Sequence, residues 1–248
     1  MKYKDYSPDI WKRIHTTLEE VLKVDSHPVA AFDADGTLWD TDLGENFFQH
    51  QIKHKLVKLP SEPWEHYQKM KAENPQKAYL WLAQICEGQT LGQVHSWAKE
   101  ALRTLHPVPV FSEQRKLIDL FLSKGVQIYI ITASVKWSVE PGAEMLGLPY
   151  ESVIGVETSV ENNVITDEQK GIITYKQGKV DALLEKTGGK KPFFASGNTM
   201  GDFQLLQVAT NLRLAVSAAS ENDKKLYNTE VELHQHAVSN AWLSHRFI

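Results

Sequence analysis

Three short apolar runs in this chain each end in a small polar cluster, and this pattern restricts the fold more than any other feature. Residues 28 to 32 run into Asp33-Ala34-Asp35-Gly36-Thr37. VQIYII, 126 to 131, runs into Thr132-Ala133-Ser134, and PFFAS, 192 to 196, runs into Gly197-Asn198 with Asp202 close behind. Apolar runs of this length, bounded by turn residues, read as buried strands. VIGVE at 153 to 157 and RLAVS at 213 to 217 read the same way, the latter as the last strand, and VENNVIT at 160 to 166 reads as a hairpin.

Helical patterns separate the strands. Ser7-Pro8 is a helix start, with Ile10, Ile14, Leu18, Val21 and Leu22 on one face. Ser112 to Lys124 and Lys179 to Lys186 read as two further helices. Strands alternating with helices imply a parallel sheet covered on both faces, the three-layer Rossmann-like α/β class. Ligands of such sheets bind at the carboxyl ends of the strands, where all three polar clusters fall. From about Leu43 to His106 the helix signal dominates, punctuated by Pro60, Pro63 and Pro75. That stretch reads as an all-helical insertion of roughly 65 residues, the size of a small lid. The expected division is a core of residues 1–42 and 107–248 and a cap of residues 43–106.

At 248 residues the chain is long enough for such a core plus a cap. A net charge of -4 argues against a nucleic-acid or anionic-membrane partner, and leaves a small anionic substrate open. The start, MKYKDYSPDIW, has no signal-type apolar run, and no apolar run is long enough to span a bilayer. The single cysteine, Cys86, excludes an internal disulfide framework. The expectation is a cytoplasmic protein, and oligomeric state is not legible.

Asp33 and Asp35 lie two apart at a strand end, where two carboxylates repel unless a cation sits with them. Magnesium suits oxygen ligands and substrate phosphate. Read alone, Asp-Ala-Asp-Gly is equally a plain turn. Thr132 and Ser134 offer hydroxyls and amides suited to an anion, or simply a helix cap. Lys179 opens a helix, against the dipole, and is otherwise a solvated lysine. Asp202 is a metal ligand or its neighbour, or a carboxylate at a helix start.

Taken together, strand-DADGT, strand-TAS, Lys179 and strand-GNTMGD resemble the haloacid dehalogenase (HAD) superfamily of phosphohydrolases. ITYKQGKVDALLEK followed by PFFASGNTMGD looks most like the phosphoserine phosphatase and phosphorylcholine phosphatase branch. The resemblance implies a magnesium-dependent phosphomonoester hydrolase that acts through an aspartyl-phosphate. It makes Asp33 the nucleophile and Asp35 the general acid and base. Thr132, Ala133 and Lys179 would hold the phosphoryl oxygens. Magnesium would be bound by Asp33, the Asp35 carbonyl, Asn198 and Asp202. Asn198 departs from the family, which usually carries Asp there, and implies weaker metal binding. Glu45 and Trp39 would meet the substrate, with the cap tryptophans Trp64, Trp81 and Trp97 caging an ammonium group if the substrate is amine-bearing. Otherwise those tryptophans are cap core and Glu45 a surface residue. Lys136 and Trp137 could also approach the pocket. A phosphotransferase or phosphomutase, or a phosphate-binding protein with a decayed metal site, are the alternatives.

Overall fold

The structure, a computed structural model, describes residues 3–248. The first helix, α1 (Pro8–Leu22), starts where the sequence places it: the Ser7 hydroxyl accepts the Ile10 amide and Pro8 opens the first turn. Such a cap is worth about 1 kcal/mol. The strands are β1 (Val29–Phe32), β2 (Gln127–Val135), β3 (Val153–Glu161), β4 (Val164–Lys170), β5 (Phe194–Gly197), β6 (Leu212–Ser217) and β7 (Leu243–Arg246). They form one sheet in the order β4-β3-β2-β1-β5-β6-β7. All neighbours are parallel except the β3–β4 hairpin at one edge.

Alternation along β1 explains the three layers. Ala30 and Phe32 face a cluster with Ile14 and Leu18 of α1 and with Leu117 and Phe121 of α6 (Ser112–Ser123). Val29 and Ala31 face the opposite cluster. That side is covered by α8 (Gln177–Lys186), α9 (Phe203–Val208) and α10 (Lys224–Ser239), through Leu183, Leu206 and Leu233. Strands buried on both faces must be apolar at every position, which is why they read as runs.

Residues 43–104 form four helices: α2 (Leu43–His54), α3 (Pro63–Glu73), α4 (Pro75–Gln84) and α5 (Leu91–Thr104). Pro63 and Pro75 sit at helix starts, where a missing amide hydrogen does no harm. Phe47, Tyr67, Leu82 and Trp97 build a cluster that continues into Val135, Trp137, Val156 and Ile165. The inserted helices therefore rest on the hairpin and on α7 (Lys136–Met145).

Three sequence expectations need correction. RLAVS is not the last strand: α10 and β7 follow it. Strand β7 is LSHR, short, half-polar and at the sheet edge, so it carries no apolar run. Strand β2 does not stop at Thr132 but continues through Val135, with a register shift between Ile131 and Val135. Thr132 thus lies in the strand, four residues before α7. Helix α8 begins at Gln177, which puts Lys179 inside its first turn.

Candidate active site

Register aligns the strand ends. Phe32 pairs with Ile130 on one side and Ser196 on the other, so Asp33, Thr132 and Asn198 lie at the carboxyl ends of neighbouring central strands. The Asp33 amide donates to the Ser196 carbonyl at 2.9 Å, which fixes the start of the turn. Gly36 is required there. Its φ is +76°, and a Cβ would stand 2.1 Å from Asn198 Nδ2.

Asp33 is buried between two donors. Lys179 Nζ lies 2.6 Å from its Oδ1, and Thr37 Oγ1 donates to its Oδ2 at 2.7 Å. Burial, then Asp202, push its carboxyl up to about 7 despite Lys179 and Thr37. Lys179 also donates to Asp202 Oδ1 at 2.6 Å. Burial would lower this ammonium, yet Asp202 and Asp33 outweigh it and hold it above the ordinary lysine value.

Asp35 turns the other way. Its Oδ1 accepts from Trp39 Nε1 and the Leu43 amide, both at 2.8 Å, and its Oδ2 from Ser134 Oγ at 2.7 Å. Burial raises its carboxyl; the bonds from Trp39, Leu43 and Ser134 only partly offset this. Trp39 is fully buried in the core, not at a pocket mouth, and its contact is with Asp35.

Asp202 lies behind the site. Its Oδ2 accepts from the Asn198 and Thr199 amides and Thr199 Oγ1, while Oδ1 takes Lys179. Both of its oxygens are engaged by the protein, as both are in Asp33, and through them it braces Asn198, Thr199 and Lys179. Asn198 Oδ1 lies 3.4 Å from Thr37 Oγ1, and its Nδ2 donates to Glu230 Oε1 at 3.0 Å. Glu230 comes from α10 and is itself buried; its Oε2 accepts the Ala218 and Ala219 amides. An acceptor behind Nδ2 orients the amide so that its oxygen faces the Thr37 hydroxyl. Nothing local in the sequence marks Glu230.

Thr132 is buried, its Oγ1 accepting from the Ser134 amide at 3.0 Å and its carbonyl from Thr174 Oγ1. Ala133 is half-buried between them. Glu45 sits in the first turn of α2, two residues beyond the Leu43 amide that holds Asp35, and pairs with Lys71 Nζ at 2.7 Å. Trp64 and Trp81 pack on Phe48, and Trp97 is core. Trp137 is buried and Lys136 pairs with Glu157. An open cleft of about 880 Å³ lies between the α3–α4 turn and the segment 171–178. None of Asp33, Asp35, Thr132 or Asn198 lines it; Gly178, the neighbour of Lys179, does.

Among the described residues no three His, Cys, Asp or Glu side chains gather as metal ligands. The oxygens that do converge are Asp33 Oδ2 and Asn198 Oδ1, both within reach of the Thr37 hydroxyl. One carboxylate and one amide oxygen fit a magnesium ion, which keeps several waters and needs few protein ligands.

Residues 30–207 match the family model described as haloacid dehalogenase-like hydrolase. The chain belongs to this family. Other HAD-like proteins share its architecture. The curated phosphorylcholine phosphatase of Pseudomonas aeruginosa is 23% identical over 192 residues, 61% of this chain and 55% of that protein. The chain thus spans little more than half of that relative's length. A functionally unknown protein from Anaerococcus prevotii superposes with a TM-score of 0.76 at 14% identity, covering 98% of this chain and 95% of that one. A phosphoserine phosphatase solved as a phospho-aspartyl intermediate analogue gives 0.52 at 16%, covering 82% and 91%. At these identities the structural likeness is one of fold.

Proposed function

We propose that this HAD-like hydrolase cleaves small phosphomonoesters through an aspartyl-phosphate on Asp33. The observation that carries the reading is the buried Lys179 ammonium, 2.6 Å from the Asp33 carboxylate at the carboxyl end of the central strand. A cation fixed beside a nucleophile suits an incoming phosphate, whose equatorial oxygens need neutralising as the bond forms.

Asp33 attacks phosphorus with one oxygen while Lys179 and Thr132, with the Ala133 amide, hold the transferring oxygens. Asp35 hands its proton to the departing alkoxide and later takes one from the water that cleaves the acyl phosphate. Ser134, Trp39 and the α2 amide keep its carboxyl in place for both steps. Magnesium, held by Asp33 and Asn198, would supply charge neutralisation between nucleophile and phosphate. Residues 43–106 serve as the cap, because α2 begins on Asp35 itself.

Asn198 is held by a buried partner, Glu230, which fixes the direction of its amide. The proposal is tested by phosphate release from p-nitrophenyl phosphate with magnesium. Asp33→Asn abolishes release while the fold persists; turnover at the wild-type rate would refute the nucleophile.

A further inference from the structure

The distal side of the site already contains a cation. Lys71 Nζ lies 2.7 Å from Glu45 Oε1, 5.4 Å from the centre of the Tyr67 ring and 5.8 Å from that of Tyr79. Tyr67 Oη is 3.4 Å from the same Glu45 oxygen. The ammonium is thus set between one carboxylate and two aromatic rings, the surroundings that bind an ammonium group. The cluster borders the reaction centre. Glu45 is in the turn of α2 whose Leu43 amide binds Asp35, and Asp42 caps that turn by accepting the Glu45 amide. Tyr79 stacks at a tilt, 5.8 Å away, on Tyr175, which lies four residues before Lys179.

We infer that Lys71 is a tethered cation filling this aromatic–carboxylate cage, and that it disfavours substrates whose alcohol part carries an ammonium group. The inference rests on the phosphomonoesterase reading for its substrate class, but the cage is defined by its own residues. Lys71 remains charged: burial would lower it, and Tyr67, Tyr79 and Glu45 outweigh burial and raise it. Asp42 is engaged as the cap of α2, its Oδ1 accepting the Glu45 amide at 2.7 Å. A cation on a short tether occupies its site at an effective concentration on the order of millimolar or above, which a free amine must exceed. The alcohol part that fits beside a filled cage is neutral or anionic.

The test uses the full chain, choline as a binding probe, and two variants. Lys71→Met keeps the aliphatic stem against the rings, and Lys71→Ala removes it. Ligand-observed NMR reads choline binding. The ratio of kcat/KM for phosphocholine to that for p-nitrophenyl phosphate reads specificity. Removing the tethered competitor should strengthen choline binding about tenfold and raise the ratio about tenfold. Unchanged choline binding and an unchanged ratio in a folded Lys71→Met protein overturn the inference, as does wild-type protein that binds choline as tightly as the variants. If the wild type releases no phosphate from p-nitrophenyl phosphate, the phosphatase reading falls, and choline binding alone decides the cage.

Discussion

Restoring the family's acidic residue at position 198 is expected to harm this protein unless Glu230 changes with it. Asn198 Nδ2 and Glu230 Oε1 are 3.0 Å apart, and both residues are buried. Asn198→Asp removes a hydrogen bond to a charged acceptor, about 1.5–3 kcal/mol. It also sets two carboxylates against each other, so that one must take up a proton. A destabilisation of about 3 kcal/mol follows, a fall in Tm of about 6–12 °C for a chain of this size. Glu230→Gln alone should also destabilise, because its new amide faces that of Asn198. The pair together reverses polarity. The glutamine side chain introduced by Glu230→Gln keeps an oxygen for the Ala218 and Ala219 amides and donates its nitrogen to the carboxylate introduced by Asn198→Asp. A double-mutant cycle in urea with EDTA, followed by far-UV circular dichroism, should give a favourable coupling of about 2 kcal/mol. The double variant should also bind magnesium more tightly than wild type, by calorimetry, since a carboxylate replaces an amide. An Asn198→Asp protein within about 0.5 kcal/mol of wild type, or penalties that simply add, would show that Glu230 does not hold the amide.

Asp33→Asn should not destabilise the metal-free protein. Burial and Asp202 raise the folded carboxyl from 3.8 to about 7, so stability falls as pH rises across that range. The variant should lack that fall in urea titrations with EDTA, and an identical slope would contradict the assignment. Glu113 has the opposite sign. Burial pushes it up, but bonds from Lys116, Trp11 and the Tyr6 amide outweigh burial and hold it below its ordinary value. Its stabilisation is present above the ordinary glutamate range and is lost as pH falls through the lowered value. Glu113→Gln should therefore lose about 1.5–3 kcal/mol at neutral pH, with the gap from wild type closing in acid. Cys86 is fully buried, its thiol pushed up to about 12 by burial despite a bond from Gln51. Ellman's reagent should label it only after unfolding, and rapid native labelling would contradict that burial.

The central strands were legible because burial on both sheet faces leaves no room for polar residues, and each run stopped where its backbone met the site. Strand β7 was not, because an edge strand of four residues needs no such run. Helix α10 was equally hidden: its buried positions are Glu230, Leu233 and Ala237, and one of them is charged. Asp33, Thr132 and Asn198 could be gathered from strand ends, and Lys179 joined them only through the family resemblance. What each side chain touches could not. Trp39 lies four residues beyond Asp35, and that spacing suits a pocket wall as well as a buried indole bonded to the carboxylate. Lys71 is one lysine among many until Tyr67, Tyr79 and Glu45 are seen around it.

Asn198, read from sequence, was a lost charge; with Glu230 behind it, it is a displaced one. The carboxylate is one residue further from phosphate, screened by the amide it orients and held by the two amides that follow β6. An amide oxygen attracts a cation less strongly than a carboxylate does. It also repels a phosphate dianion less, and in a buried site that repulsion is only weakly screened. Asp33, Asp35 and Asp202 are already opposed by a single buried ammonium, Lys179. A fourth carboxylate facing the substrate would raise Asp33 further and leave less of it ionised for attack. On the proposed mechanism, the exchange of Asp for Asn would trade some hold on the metal for a more reactive nucleophile. On this account, magnesium affinity and the pH at which turnover falls in acid should both rise in the Asn198→Asp/Glu230→Gln protein.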